Sequence, residues 1–315
     1  MRVLATSLLG LSLFLATASA SIPELAGYNV VWSDDFNGNH GAGVDHTKWA
    51  QVVGPGNAGN REVEVYTAGT SNVHLSGDGQ LYIVPTLDSG TWHSGRLEGN
   101  VAEACSPGGA MVFQAELWVP DFTGSPAKFL GLWPAFWALG NDLRTSGVPW
   151  PKCGEWDIFE TADWASDQNH GTLHYEDANG NHVDMGSPGV MYATGQYHTW
   201  AFKVDLRNSD WTQQKLIWYL DGTQYYQITG AMIGTYQQWV QVAMNDFYPV
   251  LNMAVGGDYP KFPTSQTVSG FDSSLRVKVV LEVGDSEERN PSNGLSVNKA
   301  GCKGEMRQNH RVDAK

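Results

Sequence analysis

The stretch "KLIWYLDGTQYYQI", residues 215–228, decides the class of fold. Two runs rich in aromatic and β-branched residues flank Asp221-Gly222. Asp-Gly between strand-like runs favours a two-residue hairpin turn, because both central residues must take positive φ. Working outward, the same kind of run recurs at 108–120 ("GGAMVFQAELWVP", ended by Pro120), 197–206 ("YHTWAFKVDL") and 274–283 ("SLRVKVVLEV"). No stretch keeps a helical period long enough to build a helical layer. With 36 Gly, 13 Trp and 12 Tyr in 315 residues and only 17% charged residues, composition also favours strands and turns. The pattern predicts an all-β chain with neither internal repeat nor interdomain linker.

The two ends read differently. Arg2, the apolar run Leu8 to Leu15 and Ala18-Ser19-Ala20 form a secretory signal-peptide pattern over 1–20. The run is too short to span a bilayer, and nothing later is long and apolar enough to do so, so no membrane association is expected. Residues 21–285 form the predicted domain. Beyond them, 286–315 are polar and charged and bury too little apolar surface to offset ordering entropy, so a disordered tail is expected.

A net charge of −14 argues against nucleic acid as a partner, since phosphates would be repelled. Cys105, Cys153 and Cys302 allow one disulfide and one leftover thiol in an oxidising compartment. Their spacing matches no zinc site. No N-glycosylation sequon occurs.

The segment that carries chemistry is "CGEWDIFE", residues 153–160. On a regular strand Glu155 and Asp157 share a face and Glu160 points the other way. One extra residue, a β-bulge, returns Glu160 to the first face. On a helix Glu155 and Glu160 would diverge by about 140°. Carboxyls crowded on one face drive each other into different protonation states, so that one attacks while another donates a proton. Cleavage of a glycosidic bond needs that pair. By alternation Cys153 falls on the Glu155 face, at one end of a cleft, with Cys105 as a candidate disulfide partner. Trp156 should turn its ring into the core.

"EWDIFE" resembles the signature of glycoside hydrolase family 16, in its bulged-strand, laminarinase-like branch and of a secreted, fungal type. "GLWPAFWALG" (131–140), "WSDDFNG" (32–38), "NREVEVYT" (60–67), "HSGRLEG" (93–99), "HGTLHY" (170–175) and "NMAVGGDYP" (252–260) resemble further landmarks of that family, over about residues 28–284. The resemblance implies a β-jelly-roll sandwich of two antiparallel sheets (the concanavalin A-like lectin/glucanase fold), with a sugar cleft on the concave sheet. It also implies a retaining mechanism, with Glu155 as nucleophile, Asp157 as its assistant and Glu160 as acid/base. His174 is expected beside Glu160. Trp137 and Trp133 are expected as sugar platforms, one of them being core, because rings bury the apolar faces of sugars. Asn60, Arg96 and Asn252 are expected to line the cleft.

The family often holds a structural calcium through an aspartate in its last strand. Lys278 stands at that position, and an ammonium offers no lone pair, so neither calcium nor any other metal or cofactor is expected. The implied function is a secreted (extracellular or cell-wall) monomeric endo-β-glucanase acting on β-1,3- or mixed β-1,3/1,4-glucan. A transglycosylase on the same scaffold, a galactan-specific enzyme and a non-catalytic glucan-binding lectin stay open beside it. Lectin relatives typically lose the catalytic glutamates, and this chain keeps all three acids.

Overall fold

The 215–228 hairpin forms as its turn chemistry dictates. Lys215–Leu220 and Thr223–Thr229 pair antiparallel with Leu220 opposite Thr223, and Asp221 and Gly222 take φ of 47° and 77°. The computed structural model describes residues 25–162 and 167–285. The predicted signal peptide, the polar tail and Cys302 lie outside them.

Two antiparallel sheets make the sandwich. The first runs, edge to edge, through Thr223–Thr229, Lys215–Leu220, Tyr197–Asp205, Ala110–Trp118, Leu275–Asp285, Leu81–Ile83 and Val73–Leu75, with Tyr28–Asp34 also pairing to Leu275–Asp285. The second runs through His182–Gly186, Thr172–Glu176, Glu155–Glu160, Leu132–Gly140, Phe247–Val255, Arg96–Gly99 and Trp49–Gln51. All the predicted runs are strands here; a tight turn joins the 215–228 pair, whereas Ala110–Trp118 pairs with Tyr197–Asp205 and Leu275–Asp285 across long stretches of chain.

Alternation sends one face of each sheet inward. Phe113, Ala115, Phe202, Trp218, Val277 and Val280 of the first sheet meet Phe136, Trp156, Phe159, Leu251 and Met253 of the second in one buried cluster. Trp156 sits in the core as the alternation predicts. It stacks on Phe247 with ring centroids 3.6 Å apart, and its indole N–H donates to the Val242 carbonyl at 2.9 Å. A buried indole needs such an acceptor.

The Cys105–Cys153 disulfide does not form. Both thiols are buried and free, because they occupy different clusters: Cys105 belongs to the inter-sheet core, whereas Cys153 packs with Leu139, Tyr248 and Val250. Burial pushes each thiol up to about 12, so both remain protonated at neutral pH. Lys278 is the extra residue where the Leu275–Asp285 strand slips against Ala110–Trp118. Its ammonium pairs with the Glu116 carboxylate and lies 3.9 Å from the Tyr197 ring centre.

Candidate active site

The open face of the second sheet is read across its strands. Leu139 lies opposite Glu155, Trp137 opposite Asp157 and Ala135 opposite Glu160. Between Phe136–Phe159 and Trp137–Asp157 the register slips by one residue, which makes Ile158 the extra residue of a bulge. Glu155, Asp157 and Glu160 therefore face the same way, while Trp156 and Phe159 stay in the core.

A bulge leaves backbone groups without ladder partners, and side chains supply them. The Asn169 amide oxygen accepts from the Glu160 N–H at 2.9 Å, and its amide nitrogen donates to the Ile158 carbonyl at 2.9 Å. Trp218 donates its indole N–H to the Asp157 carbonyl at 2.8 Å. Asn169 is wholly buried and also hydrogen-bonded to the Tyr225 hydroxyl. Two glycines admit the chain at the strand's entry. Gly154 takes φ of 84°, and a Cβ on Gly140 would stand 1.7 Å from the Cys153 carbonyl oxygen.

Trp133 donates its indole N–H to Glu160 Oε2 at 3.0 Å, and Trp137 donates to Asn252 Oδ1 at 2.8 Å. Both rings are half-buried on the open face. The expectation that one of them is core fails, because residues four apart on a strand share a face; Phe136 and Ala138 take the inward positions. The Arg96 guanidinium lies over the Trp137 ring, 4.7 Å from its centre, and pairs with Glu98 at 2.7 Å. Asn252, opposite Arg96 in the ladder, donates to the Tyr66 hydroxyl at 3.1 Å. Asn60 makes its contacts at the rim instead: its amide donates to Glu62, and its carbonyl accepts from the Asp258 N–H, one residue before Tyr259.

His174 contacts a different acid from the expected one. Its Nε2 is 3.0 Å from Asp157 Oδ2 and 4.0 Å from Glu155 Oε1. The ladder explains this, since His174 stands directly opposite Glu155. Its Nδ1 is 3.0 Å from His182 Nε2. Burial opposes a charge on His174, but the Asp157 hydrogen bond and the surrounding carboxylates outweigh it and raise the imidazole to about 9. As an imidazolium, His174 donates from both nitrogens. His182, pushed down by burial and by the His174 charge, accepts as the neutral ring.

Burial and then the Asp157 charge push Glu155 up to about 8, while His174, Arg96 and a hydrogen bond from Trp150 pull it back. Burial and the Asp157 charge push Glu160 well above the usual carboxylate range, against the Trp133 hydrogen bond. Two carboxyls thus flank an acid that is bonded to a cation. Glu155, Asp157 and His174 each direct one ligand atom into a space where all lie within 4.8 Å of one another, which suits a divalent ion. His174 already spends both nitrogens on Asp157 and His182, so it would ligate only after losing a proton.

Four neighbours escape sequence reasoning. Tyr259 hydrogen-bonds Glu160 and packs against Trp133 with ring centres 5.0 Å apart. Trp150 hydrogen-bonds Glu155. His182 bonds His174, and Asn169 braces the bulge. Trp150 had a signal, being an aromatic residue beside a proline in a loop with no strand pattern. Asn169 had none.

An open-faced, bulged strand of alternating acids on a two-sheet sandwich is the architecture of a family 16 glycoside hydrolase, and the chain belongs to that family, in its laminarinase-like group. Residues 110–209 match the family described as "XgeA-like, catalytic GH16 domain". The solved endo-1,3-beta-glucanase of Streptomyces sioyaensis superposes with a TM-score of 0.72 at 30% identity, over 85% of this chain and 100% of that one. Glucan endo-1,3-beta-glucosidase A1 of Niallia circulans is 29% identical over 75% of this chain and 35% of its own length. Endo-1,3(4)-beta-glucanase xgeA of Emericella nidulans is 34% identical over 30% of this chain and 15% of its own. The chain spans about a third of the length of the first curated relatives it matches (35% and 36%).

Proposed function

We propose that this chain is a retaining endo-β-glucanase that hydrolyses β-1,3-glucan, and mixed β-1,3/1,4-glucan where the cleft admits it. The observation that carries the reading is the Ile158 bulge, which sets Glu155, Asp157 and Glu160 on one open face beside two half-buried indoles of the neighbouring strand. The similar proteins named for β-1,3-glucan cleavage add support.

In this reading Glu160, whose carboxyl burial and the Asp157 charge hold well above the usual carboxylate range, gives its proton to the glycosidic oxygen as the bond to the leaving sugar breaks. The Trp133 and Tyr259 contacts hold the carboxyl in place. Glu155, in the ionised form that His174, Arg96 and the Trp150 hydrogen bond favour, attacks the anomeric carbon through its carboxylate and forms a glycosyl ester. Asp157, bonded to the His174 imidazolium, sits between the two carboxyls. It repels a second negative charge on Glu155, which favours delivery of that charge to the substrate. Glu160, now a carboxylate, removes a proton from water, which opens the ester with net retention. Trp137, stacked under Arg96 and tied to Asn252, offers an apolar ring with polar groups beside it, which suits a sugar face and its hydroxyls. Asn60 lines the rim.

The same reading makes the chain a secreted, extracellular or cell-wall monomer, with a signal peptide at 1–20, a catalytic domain at 21–285 and a polar tail at 286–315. Among the described residues no helix is long and apolar enough to cross a membrane. The reading keeps the fungal type expected from the sequence, while the similar proteins from Niallia circulans and Streptomyces sioyaensis are bacterial.

Chromatography of products from laminarin, lichenan, agarose and chitin oligosaccharides, with Glu155→Gln as control, tests the reading. Short glucose oligomers from laminarin or lichenan, absent in the control, are expected. Products longer than the substrate would move the assignment to transglycosylase. Oligomers from agarose alone would move it to galactan. Binding without any product would make the chain a lectin.

A further inference from the structure

Away from the catalytic row, a second pair of acids has hydrogen bonds that do not close. Glu64, on the strand Glu64–Tyr66, is 1% exposed. Its Oε2 accepts from the Val255 N–H at 2.8 Å, whereas its Oε1 is buried without a donor. Glu62 is in hydrogen-bond contact with it and already accepts twice, from the Asn57 N–H at 2.9 Å and from the Asn60 amide at 3.1 Å. Gly56 closes over both carboxyls: a Cβ there would stand 2.9 Å from Glu62 Oε2 and closer still to Glu64 Oε1. Two ionised carboxylates only accept and cannot satisfy each other, whereas one carboxylic acid can donate to its neighbour. Burial and the Glu62 charge push Glu64 up to about 8, so Glu64 is the member that keeps the proton.

The pair holds the turn that follows Phe247–Val255. Glu64 accepts from the Val255 N–H, and Val63 donates to the Val255 carbonyl at 2.8 Å. Beyond Gly256 and Gly257, the Asp258 N–H donates to the Asn60 carbonyl at 2.9 Å, and a Cβ on Gly257 would stand 2.7 Å from that carbonyl oxygen. The next residue is Tyr259, which hydrogen-bonds Glu160 and packs on Trp133. Resting on the glucanase reading, we propose that Glu64 is a positioning residue: it shares one proton with Glu62, and the bridged pair fixes the 57–64 segment against the 255–258 turn, which sets Tyr259 on Glu160. Loss of that proton leaves two crowded carboxylates under Gly56, and their repulsion frees the turn. The other titratable neighbours do not relieve it. Burial and both glutamates hold the Tyr66 hydroxyl neutral, and the Arg96 guanidinium near Tyr66 is paired with Glu98. Arg61 is paired with Asp258 at the exposed rim.

Glu64→Gln reproduces the protonated acid at every pH, because its amide oxygen still accepts from Val255 and its amide nitrogen donates to Glu62. Glu64→Ala removes both bonds. On laminarin at about pH 6, Glu64→Ala is expected to lower kcat about tenfold, a fraction of the roughly 10²–10⁴-fold that a general acid supplies, and Glu64→Gln to restore it. The ratio of kcat for Glu64→Gln to kcat for wild type should lie near one at about pH 6 and reach about fivefold by about pH 9, as the wild-type pair loses its proton near 8. Glu155, Glu160 and His174 titrate in both proteins and cancel in that ratio. In a Tyr259→Phe background, Glu64→Ala should add little further loss. A ratio that stays flat over this range, or an undiminished loss in the Tyr259→Phe background, overturns the positioning role. A wild-type protein that leaves laminarin uncut overturns the glucanase reading instead. The shared proton is then read from the carboxylic-acid C=O band that Glu64→Gln should remove from the infrared spectrum at neutral pH, and an unchanged band overturns the pair as well.

Discussion

On the outward face of the first sheet, Asp205 lies against Arg207 and Lys203, and Glu116 against Lys278. On the open face of the second sheet, Glu155, Asp157 and Glu160 share one imidazolium and the distant charge of Arg96. Burial opposes ionisation of Asp205, yet the bonds from Arg207 and Lys203 hold its carboxyl far below the usual range. Burial without a matching cation lifts Glu155 and Glu160. The two faces use similar strands and the same residue type. What separates them is whether each carboxylate has its own cation, and only the face without that match keeps a proton to give and a charge to deliver.

The contrast is sharpest in turnover. Glu155→Gln is expected to abolish hydrolysis while glucan binding persists; turnover near wild type would remove Glu155 as nucleophile. Glu160→Ala should lose about 10²–10⁴-fold on substrates with poor leaving groups, and azide should rescue an activated aryl glycoside. Failure of that rescue would count against Glu160 as acid/base. No comparable loss should follow Glu116→Gln on the other face, and the same assay measures it.

Next comes the bulge. Asn169→Ala leaves a buried N–H and a buried carbonyl without partners, which should cost about 1–3 kcal/mol in urea unfolding. Its rate should fall as well, because Glu160 loses its brace. A stable variant with full activity would show that the bulge holds itself.

Stability against pH separates the faces too. Glu155 has a folded pKa of about 8, above its unfolded value, so its contribution is lost as pH rises through that window. His174, raised to about 9, acts in the same direction from its ordinary value upward. The melting temperature of Glu155→Gln should therefore gain on wild type as pH goes from about 4 to 8. Asp205 is depressed, so its contribution is present above the ordinary carboxylate value and disappears as the solution becomes more acid. Asp205→Asn should cost no more than about 1 kcal/mol at neutral pH, as solvent-screened pairs do. A gain for Glu155→Gln that ignored pH would contradict the account of the cluster.

Strand identity, the 221–222 turn and the inward ring of Trp156 were legible because hydrophobic alternation and turn chemistry are local. The acids at 155, 157 and 160 were legible as a group because their spacing leaves one choice, a bulge or divergence. Pairing partners were not legible. His174 meets Asp157 rather than Glu160 because of the register between two strands, and register is set by the whole sheet. The cysteines stay apart because each lies in its own apolar cluster. Trp150 comes from a loop and Asn169 from the two-residue strand Gln168–Asn169, and neither is long enough to carry a periodic signal. The sequence by itself determined which residues are strands and which acids stand together, since both follow from neighbours along the chain. Only the tertiary structure decided which acid keeps a cation and which side chain braces the bulge, since those depend on distances between strands far apart in the chain.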